Sequence, residues 1–162
     1  MRRTLILIAA LLSSAVFAAE PAKPAIEADA QIKKQLDELD YEYEIDKDGD
    51  FKLTFEVEGK DKRSQLVFVR TPVETYGEHR VREIWSPGYK GSKEFPAAVA
   101  TRLLEATYLS KLGAWAKDGE YAIFVVKLRA DASTKELDDA IAVAITSADE
   151  MEAELTPGKD DL

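Results

Sequence analysis

Cysteine is absent from all 162 residues, and histidine occurs once. Without thiols the chain has no disulfide, thiolate metal site, catalytic thiol or lipid attached at an N-terminal cysteine. With one histidine, a metal site would have to rest on carboxylates, which suit calcium or magnesium rather than zinc or iron. No glycine-rich phosphate loop, nucleophile elbow or metal-binding HExxH occurs. Positive charge is also scarce, with 22 basic residues against 31 acidic ones and a formal charge of −9. Such a surface repels phosphates and anionic lipid, which excludes nucleic acid and the membrane surface as partners. The acidity serves solubility. No catalytic residue, cofactor or metal is expected.

What is present begins with a leader. In "MRRTLILIAALLSSAVFAAEPAKP", Arg2 and Arg3 precede an apolar run from Leu5 to Phe17. Val16 and Ala18 have the spacing of small residues read by signal peptidase, so residues 1–19 read as a signal peptide cut after Ala18 or Ala19. The run is shorter than the about 20 residues of a membrane span. The mature chain is then periplasmic or secreted and detached from the membrane. Removing the two arginines makes it still more acidic. Residues 20–26 read as a loose proline-containing linker, 27–156 as a single domain and 157–162 as an acidic tail.

The stretch "IDKDGDF" (45–51) raises the question of a calcium loop at Asp46, Asp48 and Asp50. An EF-hand loop started at Asp46 needs glycine at its sixth place and glutamate at its twelfth, where Phe51 and Val57 stand. The flanks "YEYEI" and "FKLTFEV" alternate as half-buried strands do. With a three-residue loop, Lys47-Asp48-Gly49, Ile45 faces Phe51, Tyr43 faces Leu53 and Tyr41 faces Phe55. A slip by one residue would oppose apolar to polar along the whole ladder. Gly49 falls at the left-handed third position that such a loop requires. The aspartates are turn formers.

Asp29 is a candidate N-cap for a first helix over 27–39, with Ile32, Leu36 and Leu39 inward. After "EGKDK", residues 63–70 form a third strand. Leu66 to Val69 are apolar on both faces, which implies strands on both edges or a helix over the far side. Residues 71–78 read as a loop and 79–85 as a strand, and the Pro- and Gly-rich "SPGYKGSKEF" reads as a connection. Pro96 opens a second helix running to about Leu112, with Val99, Leu103, Leu104, Thr107, Tyr108 and Leu112 as a wide buried stripe. A second hairpin turns at Asp118-Gly119. Ser133 and Glu136 form a capping box for the last helix, whose Leu137, Ile141, Ala144, Ala148, Met151 and Leu155 share one face. Its acids, Asp138, Asp139, Asp149, Glu150, Glu152 and Glu154, fall mostly on the opposite, solvated face. Runs of strands between helices argue for an α+β fold, an antiparallel sheet of about five to six strands with three helices.

Site candidates are few. His79 lacks a nucleophile or a second ligand nearby in sequence and reads as a solvated histidine. In "WSPGYKG" (85–91), Trp85 and Tyr89 are candidates for anchoring a partner, as is Trp115, because aromatic residues dominate interface hot spots. The alternative is that Trp85 points into the core and Tyr89 covers an edge.

The pieces "LDYEYEIDKDGDFKLTF", "RSQLVFV" with Arg63 and Gln65, "VREIWSP", "RLLEATYLSKLGAW", "FVVKL" and "TKELDDAIAVAITSADEME" together resemble the YbjN family, from about Ile32 to Leu155. Glu105-Ala106-Thr107 stands where that family often has asparagine after the paired leucines. The resemblance implies a fold like that of type III secretion chaperones, often dimeric, with a chaperone-like or regulatory protein-binding role and no known chemistry. It carries over no functional residue. The leading expectation is an exported, non-enzymatic protein-binding module acting through a sheet edge or a helical face. A carboxylate-dependent enzyme and a structural homodimer are the alternatives.

Overall fold

A computed structural model describes residues 26–57, 63–158 and 162. The expected signal peptide, most of the linker, the 58–62 connection and residues 159–161 of the tail lie outside them. The fold is α+β, with element order α1 (Ala30–Glu38), β1 (Glu44–Ile45), β2 (Phe51–Val57), β3 (Arg63–Tyr76), β4 (His79–Lys90), α2 (Ala97–Leu109), β5 (Ala114–Asp118), β6 (Tyr121–Arg129) and α3 (Thr134–Leu155). All six strands form one antiparallel sheet in the order β1-β2-β3-β4-β6-β5. No helix among the described residues is long and apolar enough to cross a membrane.

The first hairpin has the expected register, with Ile45 opposite Phe51. Asp46 Oδ1 accepts the amides of Asp48 (2.8 Å) and Asp50 (3.0 Å), and Gly49 has φ 78°. The aromatic pairs Tyr41–Phe55 and Tyr43–Phe51 meet edge to face at 5.2 Å. Ile45 departs from the expected buried set: it is 49% exposed, because it lies beyond the end of the core.

The starts of α1 and α3 follow their sequence signals. Asp29 Oδ1 accepts the amides of Gln31 and Ile32, and Ser133 with Glu136 forms the capping box. Helix α3 buries Leu137, Ile141, Ala144, Ala148 and Met151 against the sheet. Two of its acids depart from the solvated opposite face on which most were expected. Asp149 and Glu152 are buried, because the start of β3 covers that flank and brings Arg63 Nη2 to 2.5 Å from Asp149 Oδ1.

Two strands are longer than expected. Residues 71–76 belong to β3 rather than to a loop, with a bulge between Val69 and Val73. Pro72, having no N–H for the ladder, is tolerated there. Arg82, buried on the helix side, repairs the break. Its Nη1 donates to the carbonyls of Arg70 (2.6 Å) and Thr71 (2.7 Å), and its Nη2 to Asp29 Oδ2 (2.6 Å). One guanidinium thus ties the bulge to the N-terminus of α1. Burial pushes the Asp29 carboxyl up, but the Ile32 amide and then Arg82 outweigh it, and the net shift is downward.

The "SPGY" segment is likewise strand, not connection: β4 runs through it to Lys90 with a bulge between Pro87 and Tyr89. Gly88 is required at that point, since a Cβ there would lie 2.5 Å from the Trp115 ring and 3.0 Å from the Ala148 carbonyl of α3. The second hairpin turns one residue later than expected, on Gly119-Glu120 between paired Asp118 and Tyr121.

Candidate functional site: the open face of the sheet

The inward residues of the sheet, among them Phe51, Leu53, Val67, Val69, Ile84, Phe124 and Val126, form the main core with Leu36 of α1 and with α3. Alternation then fixes the opposite set, and those side chains line a trough of about 730 Å³. Three rows cross it. Phe68, Trp85 and Val125 stand side by side on β3, β4 and β6. The Phe68 and Trp85 rings stack at 4.2 Å and 10°, an arrangement contributing about 0.5–1.5 kcal/mol beyond area burial. Leu66, Pro87 and Ile123 continue the apolar surface on one side. On the other side runs a charged row. Glu83 lies 3.8 Å from Arg70 and 3.3 Å from Lys127, and Arg70 also reaches Asp50 at 3.3 Å.

These charges are matched cation to anion, so the row offers orientation rather than a free acid or base. Asp50 is further committed, since its Oδ1 accepts the Thr71 amide at 2.7 Å. Among the described residues no group of three His, Cys, Asp or Glu side chains is placed to hold a metal. His79 lies exposed at the tip of the β3–β4 hairpin, opposite Tyr76. Arg63 neutralises Asp149, the inward acid of α3 that it pairs. The arrangement presents an apolar floor beside a row of paired charges.

The three aromatic candidates do not converge. Trp85 is half-buried in the open face. The bulge at Gly88 rotates Tyr89 to the other side, where it meets Phe95 edge to face at 5.4 Å. Trp115 is also on the helix side, against Phe124 at 5.4 Å, and borders a second groove between α2 and α3 of about 480 Å³. Sequence reading missed Phe68, Leu66, Ile123 and Val125. Their signal was present in the two-sided apolar run 66–69. Strands on both edges of β3 account for that run in part, and among the described residues no helix covers its outer side.

Helix α2 overturns a second expectation. Of its supposed buried stripe only Leu103 is buried, while Leu104, Tyr108 and Leu109 are 70%, 88% and 74% exposed. The reason is its position beside the edge strand β5, which covers one narrow flank of the helix. Compared with known proteins, the chain matches no protein-family model and no curated protein.

Proposed function

We infer that this chain is a non-enzymatic protein-binding module, exported and chaperone-like in the manner the YbjN resemblance suggests. It holds an apolar segment of a partner on the open face of its sheet. One observation carries the reading: a stacked Phe68–Trp85 floor flanked by aliphatic residues and bordered by a self-neutralised charged row. Exposed apolar surface of this kind, rimmed by polar groups, marks interaction sites. An apolar segment gains from desolvating the floor, while the charged row gives it direction without requiring one sequence.

The test is fluorescence anisotropy with a dye-labelled polypeptide kept unfolded by reduction and carboxymethylation. Saturable binding is expected, weakened at least about tenfold by Phe68→Asp. No saturable binding, or binding indifferent to that change, would sink the reading.

A second reading, self-association, is supported by the outward Leu104, Tyr108 and Leu109 of α2. It predicts a dimer in sedimentation equilibrium that Tyr108→Asp with Leu109→Asp converts to monomer. A parent chain that sediments as a monomer removes it.

A further inference from the structure

Of the arginines among the described residues, Arg63 reaches Asp149, Arg70 Asp50, Arg82 Asp29, Arg102 Glu154 and Arg129 Asp131. Arg80 is the exception, with no ion pair or side-chain hydrogen bond among the described residues. In a chain with 31 acidic residues against 22 basic ones, acids are not lacking. Arg80, Glu78, His79, Val81, Arg129 and Asp131 line a pocket of about 380 Å³ at the start of β4. There Arg129 already holds both oxygens of Asp131, at 2.9 and 2.7 Å. The Asp131 carboxyl is kept below its ordinary value first by those hydrogen bonds and, more weakly, by the charge of Arg80. The Arg80 fork itself stays open. Register places the pocket relative to the trough. Val81 pairs with Arg129, Glu83 with Lys127 and Trp85 with Val125. Alternation puts these pairs on one side of the sheet, and the first lies about 14 Å along the strands from the last. The pocket therefore follows the charged row, beyond the Phe68–Trp85 floor.

We propose that this pocket binds a single carboxylate through Arg80, and that the carboxylate is a glutamate or aspartate side chain of the partner, four residues from the apolar residue seated over Trp85. The spacing rests on the open-face reading above, whereas the carboxylate site stands without it. A guanidinium keeps its charge throughout the physiological range, and its planar fork matches a carboxylate. Glu78 and Asp131 in the same wall repel a second negative charge, so one carboxylate is admitted in preference to a dianionic phosphate. In an extended segment alternate residues face the sheet. A residue over Trp85 thus brings the second one on over Glu83 and Lys127, and the fourth over Val81 and Arg129.

Two measurements test the site and the spacing separately. In the first, the arginine Nε–H resonances are followed by two-dimensional NMR as sodium acetate replaces sodium chloride at constant ionic strength. Arg80 is expected to shift saturably, at lower acetate than Arg102, whose fork is filled by Glu154. No saturable shift at Arg80, or equal shifts at both, overturns the carboxylate site. In the second, dye-labelled peptides with amidated C-termini carry a Leu-Ser-Leu motif in a serine–glycine chain, with one glutamate two, four or six residues away on either side. Anisotropy should show tightest binding at a separation of four, about five- to tenfold tighter than with glutamine in its place. Arg80→Gln should erase that preference. Equal affinity for the glutamate and glutamine peptides, or a preference that survives Arg80→Gln, overturns the recognition, while loss of binding in Phe68→Asp still upholds the open-face reading. A preference for another separation overturns the spacing. Absence of binding by every variant overturns the open-face reading and the spacing with it, and the acetate titration still decides the carboxylate site.

Discussion

Strand β3 carries Val67 and Val69 on one side and Leu66 and Phe68 on the other, and the two pairs differ little in hydrophobicity. The valines are fully buried under the helices, whereas Leu66 and Phe68 are only half-buried. Charge divides in the same way. Arg82, on the covered side, donates to two carbonyls and a carboxylate at 2.7 Å or less. On the open side Lys127 rests 3.3 Å from Glu83 with most of its side chain in water. One surface of the sheet is covered by the fold, and the other leaves apolar area uncovered.

The largest expected effect lies in the core. Leu53→Ala or Phe124→Ala should cost about 3–5 kcal/mol in urea unfolding, since each leaves a cavity in the main core. Phe68→Ala should cost less, about 2 kcal/mol, the loss of the stacking together with the burial of part of the ring. Equal costs would erase the distinction between the faces.

Next come the charges. Arg82→Met strands the Arg70 and Thr71 carbonyls and the Asp29 carboxylate, at a cost of about 3 kcal/mol. Lys127→Ala should change stability by less than about 0.5 kcal/mol, as exposed ion pairs usually do. A large Lys127 effect would show that the open-face row is structural.

Acid titration sharpens the contrast further. The Asp29 carboxyl is held below its ordinary value of 3.8 in the folded chain. Its contribution is therefore complete above that value and is lost as pH falls through the lower folded one. Asp29→Asn should flatten the acid limb of stability against pH. A limb unaltered by Asp29→Asn would refute the role given to the Asp29–Arg82 pair.

The smallest effect concerns Tyr41, whose hydroxyl donates to Asp138 Oδ1 at 2.6 Å. Burial and then the Asp138 carboxylate push its phenol up from 10.0 to about 12. The stabilisation is complete below pH 10 and is lost as pH rises through about 12. Near-ultraviolet absorbance should show one tyrosine ionising late, and Tyr41→Phe should remove that step. A profile unchanged by the substitution would exclude the assignment.

Much of the fold was legible because its signals are local. The hairpin register follows from alternation and from Gly49, and the starts of α1 and α3 follow from Asp29 and from the Ser133–Glu136 box. The misread elements share a different cause. The 71–76 and 86–90 segments look like loops because Pro72, Pro87 and Gly88 break local rules. Distant groups satisfy them there, Arg82 at one bulge and the packing of Trp115 and α3 at the other. The site was half legible. Trp85 was among the candidates, but its partner Phe68 lies 17 positions earlier and meets it only through strand pairing. Tyr89 and Trp115 have the composition of a binding surface, yet a bulge and a strand parity turn them to the helix side.

By itself the sequence determined the secondary structure of most segments, the hairpin register, the caps and the acidic, thiol-free chemistry, because each depends on neighbours within a few residues. Tertiary structure alone decided which apolar faces stay bare. The three helices of the described residues fell on one side of the sheet, and α2 rests there on one flank, against β5 and through Leu103 against Met151 of α3, so its outer side stays bare. Amphipathicity says that a residue is fit for burial, but only the placement of other elements supplies what buries it.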